Sequence, residues 1–361
     1  MGLLLIDIGR GTQDILLYRP GEVWENSIQL ILPSPTELLA DQVREASAGG
    51  EDLFFTGETM GGGPMTGRVR QHLEAGGSAW ATPRAAATFD DDLDEVASMG
   101  IVVVGEEEEK GLSSRRGVRT IRTGDVNVGA LEESLKRWGV SFRVGAAAVA
   151  VQDHGCAPKG MSDRRFRFAR FSEMLSASGD LAELAYDGEE LPAHLTRMQG
   201  VKRTLRGRGP LLLMDTGFAA LLGMLSDTRV GAEERKVLLN VGNGHTLGGV
   251  VDGRRLTGLF EHHTRRLDGP ALTGWLDALV SGTVGDEEVY ESGGHGAFVR
   301  EGEDFPGWEG VDIFAATGPQ RSRAAGLERP PYLAAPYGQM MLTGNCGLFS
   351  AFEARRGKYE E

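Results

Sequence analysis

The sequence predicts an α/β protein of two similarly organised lobes with a ligand cleft between them, and three observations lead there. The chain has 361 residues, and at roughly 100 to 200 residues per domain that length favours two units over one. Apolar runs of strand length alternate with segments of helical spacing from end to end. A strand hairpin, a third strand and then helix–strand units open the chain, and the same order recurs in 210–361 with little shared sequence. The expected division is a first lobe at 1–160, a helical connection at 161–209 and a second lobe at 210–361.

Residues 3–8 and 14–19 are β-like runs joined by a turn, and SIQLILP (27–33) reads as a third strand. Ser34 before Pro35 starts a helix that Gly49 and Gly50 stop. DLFFTGE (52–58) is a short buried strand, and GRVRQHLEAGG is helical. Residues 90–104 give an acidic helix start and then an apolar strand, whereas GEEEEKG (105–111) reads as a solvated loop. ALEESLKRWG (130–139) is a helix. GAAAVAVQDHG (145–155) is a strand that ends on Gln152, Asp153 and His154 and closes the first lobe.

The second unit is expected to begin with the strand LLLMD (211–215) and an Ala/Leu helix to Ser226. Strands KVLLNVG (236–242), HTLGGVVDG (245–253) and RRLTGLFEHH follow, then helices at 270–281 and 285–291. GVDIFAATGP (310–319) is a strand with a Gly-Pro turn, and a turn-broken helix ends the chain.

Hydrophobic residues make up 40% and charged residues 25%, as in an ordinary globular protein, and the net charge is −14. That charge argues against a general nucleic-acid or anionic-membrane surface. No basic segment precedes the first apolar run, and no window reaches the roughly 20 apolar residues that cross a bilayer. The expectation is a soluble cytoplasmic protein. Cys156 and Cys346 are too far apart in sequence for a CxxC pair, a zinc knuckle or an iron–sulfur loop.

The opening LLLIDIGRGTQDILLY stops a strand at Asp7, turns through Gly9, Gly11 and Thr12, and reaches a second acid at Asp14. A polar hairpin tip and a phosphate corner both fit it. In the second case the turn brings backbone N–H groups to phosphate oxygens and a strand-end carboxylate holds magnesium. VLLNVGNGHTLGGVV repeats the idea at Asn240, Gly242, Gly244 and Thr246, and a later strand ends at Thr317 and Gly318. A dinucleotide-binding glycine motif would have to open a helix, whereas this one turns into a strand.

These three turns, in this order, resemble the phosphate-one, phosphate-two and adenosine motifs of the superfamily of actin, heat-shock chaperone and sugar kinase ATPases. The resemblance implies two ribonuclease H-like lobes with an interlobe nucleotide cleft, the actin-like ATPase fold, and ATP with Mg2+ as cofactors. By it Gly9, Gly11 and Thr12 hold phosphates from one lobe, Asn240, Gly242, Gly244 and Thr246 hold them from the other, and Thr317 and Gly318 lie by the adenosine. Asp7 organises magnesium, Asp153 or His154 acts as base or orients the nucleophile, and Asp215, a further carboxylate, opens a helix in the place of the Glu-Pro-Thr-Ala-Ala helix that precedes the chaperones' second phosphate strand. Asn240 stands where the superfamily keeps an aspartate and adds no charge for a metal.

ETMGGGPMTG, VQDHG, MDTGFAA, NVGNGHT, FEHHT, GGHGA and APYGQMMLTGNCGL also resemble, over nearly the whole chain, an uncharacterised prokaryotic family labelled as related to pyruvate formate-lyase activating enzymes. That label implies radical chemistry, but the chain has no CxxxCxxC loop to hold an iron–sulfur cluster. The expected function is an ATP-dependent phosphotransferase or ATPase acting on a small molecule or a partner protein. A non-catalytic nucleotide-dependent regulator is the first alternative, and a histidine-ligated metal enzyme on the same fold is the second.

Five of the seven histidines, His154, His245, His262, His263 and His295, fall in short Gly- or acid-flanked motifs. If the strands carrying His245 and the His262–His263 pair form one hairpin, a transition metal could be held by His245, by His263 or its neighbour, and by Glu261 or His154. Strand alternation lets only one of the pair face the cleft. Residues 59–67, TMGGGPMTG, precede a helix and offer N–H groups to an anion. Arg164, Arg165, Arg167 and Arg170 would pair with acids or grip a phosphorylated substrate.

Overall fold

The computed structural model describes residues 2–360. Strand β1 (Gly2–Ile8) is apolar and buried along nearly all its length, and β2 (Thr12–Tyr18) folds back antiparallel to it with β3 (Ile28–Pro33) beside β2. Ser34 caps the following helix, Pro35–Ala48, by accepting from Glu37 N, and Pro35 takes the first turn, where its missing N–H costs nothing.

The chain then leaves this sheet for a smaller parallel one of β4 (Asp52–Gly57), β5 (Ala79–Ala81), β6 (Ile101–Val103) and β7 (Val118–Thr123), in order β6-β5-β4-β7. It returns as β8 (Val144–Val151), parallel to β1. Strands β9 (Ala185–Asp187) and β10 (Leu211–Met214) complete the first sheet in order β3-β2-β1-β8-β10-β9.

The second half repeats the pattern. Strands β11 (Arg235–Val241), β12 (His245–Asp252) and β13 (Arg255–His263) form an antiparallel meander. With β14 (Gly296–Val299), β15 (Ile313–Thr317) and β16 (Tyr332–Leu333) they make a sheet of order β14-β13-β12-β11-β15-β16. In each sheet the first strand of a three-strand meander pairs in parallel with a later strand, β1 with β8 and β11 with β15. This is the ribonuclease H-like arrangement, present twice.

Helices Thr216–Met224 and Thr343–Glu353 join the two halves. Glycine permits their close approach, since a Cβ at Gly223 would overlap the carbonyl of Thr343 and one at Gly347 that of Ala219. One continuous core, including Leu5 and Met214 from the first sheet and Leu238 and Leu247 from the second, runs through this pair.

Two expectations are corrected. The strand Leu211–Met214, expected to open the second unit, lies in the first sheet beside β8. Its sequence is apolar on both faces and so carries no sign of which sheet it joins. The acidic run expected as a loop is the helix Glu106–Ser113. Glutamate is a good helix former, and acids near a helix N-terminus suit the helix dipole. Among the described residues no helix is long and apolar enough to cross a membrane.

Candidate functional site: a cleft between the two sheets

A cleft of about 530 Å³ lies between the sheets. On the first sheet, Gly9 N donates to Thr12 O at 2.9 Å to close the turn after β1. Ser34 fixes that turn from outside, its hydroxyl donating to Arg10 O at 2.7 Å and its N–H to Gly11 O at 3.0 Å. On the second sheet, Gly242 N donates to His245 O at 2.9 Å and closes the turn between β11 and β12. The turns meet across the cleft, because a Cβ on Gly11 would overlap the Asn243 side-chain amide and one on Gly244 would touch Arg10. Gln320 Nε2 holds Asn243 Oδ1 at 3.0 Å.

At the end of β15, Gly318 has φ +96°, and a Cβ there would overlap Val241 O and Asn240 Oδ1, so only glycine fits. Thr317, buried, donates to Thr343 Oγ1 at 3.1 Å. Gly9, Gly11, Thr12, Asn240, Gly242, Gly244, Thr317 and Gly318 all line the cleft.

Thr246 corrects the sequence expectation. It is cross-strand to His262, its hydroxyl lies 3.0 Å from that of Thr264, and Thr264 donates in turn to Gly242 O at 2.8 Å. Alternation along β12 turns it to the sheet face opposite His245 and Leu247. It supports the turn from behind.

The acids divide into two groups. Asp7 and Asp14 are directly opposite on β1 and β2, and both line the cleft. Burial, opposed by a 2.6 Å hydrogen bond from Thr216 Oγ1 and reinforced by the charge of Asp215, raises Asp7 to a pKa of about 7. Burial and the charge of Asp7 raise Asp14 to about 8. Asp14 Oδ1 is buried with no hydrogen-bond partner.

Asp153 and Asp215 also line the cleft, and each is held by hydrogen bonds. Asp153 accepts from Gly155 N and Met198 N, both at 2.9 Å. Asp215 caps its helix by accepting from Gly217 N at 2.9 Å and accepts from Arg167 Nη1 at 2.8 Å. Burial raises both carboxyls, against those hydrogen bonds.

Arg167, 2% exposed, is the hub of this region. It grips Glu261 with two hydrogen bonds of 2.9 and 3.1 Å and donates to Asp153 O at 3.0 Å. Burial opposes charge on both partners, but Arg167 stays charged and holds the Glu261 carboxyl well below the usual range. The glycines of TMGGGPMTG also reach the cleft, where Gly61 packs on the guanidinium of Arg197. Arg197 is itself held by both oxygens of Asp125, at 2.7 and 2.8 Å.

His245 pairs with His263 across the β12–β13 ladder, and both line the cleft. His262 points to the other face, where its Nε2 lies 3.1 Å from Ser292 Oγ and its ring stacks near Trp275. His154 meets the pair from the end of β8, and His295, 1% exposed, completes the group from the residue before β14. Burial, aided by the charge of Arg167, pushes His154 well below its usual pKa; burial also takes His245 down to about 3 and His295 to about 4, so all three rings are neutral near pH 7.

Sequence reasoning missed Asp14, Arg167, Asn243 and His295 as members of the site. A signal existed for Asp14, because a hairpin closed between Gly9 and Thr12 registers residue 7 against residue 14. His295 carried one too, in its Gly-flanked GGHGA motif, but none existed for Arg167 and Asn243, whose partners lie far off in the chain or across the cleft.

Two ribonuclease H-like sheets whose glycine turns face each other across a cleft define a protein of the actin-like ATPase fold. A family model described as putative pyruvate format-lyase activating enzyme (DUF1786) matches residues 60–323, and the chain belongs to that family. Of its two cysteines, Cys156 is exposed beyond β8 and Cys346 is buried in the interlobe core. They offer no three-thiolate set for an iron–sulfur cluster. No curated protein matches the chain.

Solved structures that it resembles include a ROK family transcriptional regulator, homologous to the E. coli MLC protein, at 11% identity and TM-score 0.26. That match covers 71% of this chain and 37% of the regulator. A ROK family glucokinase from Streptomyces griseus matches at 12% identity and TM-score 0.33, over 99% of this chain and all of the kinase. MreB5 of Spiroplasma citri matches at 8% identity and TM-score 0.37, over 99% and 97%.

Proposed function

We propose that the cleft binds ATP with a divalent cation and that the protein is an ATP-dependent phosphotransferase or ATPase acting on a small molecule or a partner protein. The observation that carries this reading is the meeting of the two glycine turns, at Gly11 and Asn243, in the cleft that the paired acids Asp7 and Asp14 also line. Tight turns present backbone N–H groups to phosphate oxygens, and a turn from each sheet would hold the phosphate chain from both sides. Thr317 and Gly318, at the end of β15, would border the adenosine.

Magnesium fits the residues present. Two facing carboxyls, one with a buried oxygen that lacks a partner, form a hard-oxygen donor set for such an ion. Asp7 and Asp14 would hold it, and bound there it would neutralise charge on the phosphate oxygens. Thr216 steadies Asp7 through its hydroxyl. Both oxygens of Asp153 are committed to backbone N–H groups, and Asp215 is committed to Arg167 and Gly217. His154 and His245, neutral near pH 7, also line the cleft and would orient the acceptor.

Calorimetric titration with Mg·ATP, followed by a hydrolysis assay, tests this reading. Saturable binding that Asp7→Ala abolishes supports it, and no heat at millimolar ATP sinks it. A second reading, binding without turnover, is favoured by the uncharged Asn240 where the superfamily keeps an aspartate. Under it the wild type binds ATP without hydrolysis and Asn240→Asp gains turnover.

A further inference from the structure

Four histidine rings gather where the ends of β8 and β13 and the starts of β12 and β14 converge. Ring centroids are 5.4 Å apart for His154 and His295, 4.8 Å for His245 and His295, 4.8 Å for His245 and His263, and 4.9 Å for His263 and His295. Each of His154, His245 and His295 offers a ring nitrogen such that all three lie within 4.8 Å of one another. His154 Nε2 and His295 Nε2 are 3.2 Å apart. Two imidazole nitrogens bound to one zinc-sized ion at about 2.0–2.1 Å in a tetrahedron stand about 3.3 Å from each other, so this pair already has the spacing of two ligands.

The polar atoms of the cluster are otherwise poorly served. His245 Nε2, a candidate ligand atom, is buried without a hydrogen-bond partner. Buried polar atoms are rarely left so, and in a cluster of packed rings they would carry a desolvation cost with no return. Glu261 lies alongside, but Arg167 neutralises it. Its backbone carbonyl accepts from His295 N at 2.8 Å and sets the position of that residue.

We propose that His154, His245 and His295 bind one divalent transition-metal ion of the zinc, cobalt or nickel class. Imidazole nitrogen selects such ions over magnesium or calcium, which take oxygen ligands. Three protein ligands leave a coordination position for water or substrate, the pattern of reactive rather than structural sites. His154 and His245 line the cleft, so that position opens toward it. His154 comes from the first sheet and the other two from the second, so the bound ion also ties the two sheets together at the cleft. The metal site stands on the histidines alone and does not depend on nucleotide binding.

The full-length protein is incubated with Co2+ or Zn2+ without nucleotide, desalted, and its metal counted by mass spectrometry. One retained equivalent is expected, with the visible absorption of low-symmetry Co2+ in the cobalt form. His154→Ala and His295→Ala should each lose that equivalent, while His262→Ala, altered on the opposite face of the sheet, should keep it. Removing a buried ring can unfold the chain, so X-ray absorption of the wild-type metal form supplies a readout free of variants, with imidazole scattering from about three ligands expected at about 2.0–2.1 Å. No retained metal, retention unchanged in both variants, or a metal shell without imidazole overturns the proposal. Because no nucleotide is added, failure here is separate from failure of ATP binding.

Discussion

Asp14→Asn should stabilise the protein at alkaline pH while destroying the proposed cation site. Each tenfold change in proton affinity is worth about 1.4 kcal/mol. Holding the Asp14 carboxyl at about 8 rather than 3.8 therefore costs the ionised form at most about 5–6 kcal/mol. The amide keeps the shape and removes the charge, but it must still bury a polar group, at about 1–3 kcal/mol, which leaves a net gain of roughly 2–5 kcal/mol at pH 8. Both raised carboxyls bind protons more tightly in the folded chain than in the unfolded one. Stability contributed by Asp7 and Asp14 is thus present below pH 4 and lost as pH rises through about 7 to 8.

Urea unfolding in a chelating buffer at pH 5 and pH 8 measures this. The wild type should lose more stability than Asp14→Asn between the two pH values, and added Mg2+ should restore the wild type at pH 8 but not the variant. A variant less stable than the wild type at pH 8, or equal pH dependence in both, would refute the pairing of these acids as a cation site.

Arg167→Met should cost about 3–5 kcal/mol at pH 7, because it leaves Glu261 and Asp215 buried without their counter-charge. Glu261 is held below its usual range in the wild type, so its stabilisation fades on acidification and the gap to the variant should narrow in denaturation curves near pH 4. Gly344→Ala places a Cβ onto Asp7 Oδ2 and should weaken Mg·ATP binding by about tenfold or more in calorimetry while circular dichroism stays near wild type. Thr246→Ala removes hydroxyl contacts behind the turn and should cost about 1 kcal/mol of stability with ATP affinity unchanged.

The elements around the cleft were legible because their signals are local. Apolar runs of the right length marked β1, β8, β11 and β15, and Ser34–Pro35 marked a helix start that the structure keeps. Alternation on β13 was enough to require that only one of His262 and His263 reach the cleft, and register places His263 there opposite His245. The same alternation, left unapplied to β12, would have turned Thr246 away from the ligand. What stayed illegible depends on long separations. Arg167 meets partners 48 and 94 residues away, and nothing in an arginine-rich stretch tells which guanidinium will be buried. His295 reaches the cluster only because β14 pairs with β13, and a four-residue strand carries little pattern of its own. Residues 211–215 read as the head of a new unit because an apolar strand has no mark of its sheet.

Amide hydrogen exchange with and without Mg·ATP tests most directly whether one nucleotide is held by turns from both sheets. Slowed exchange in both 9–12 and 242–245 on addition of nucleotide is the predicted result. Unchanged exchange in both turns, or protection confined to one of them, would contradict it.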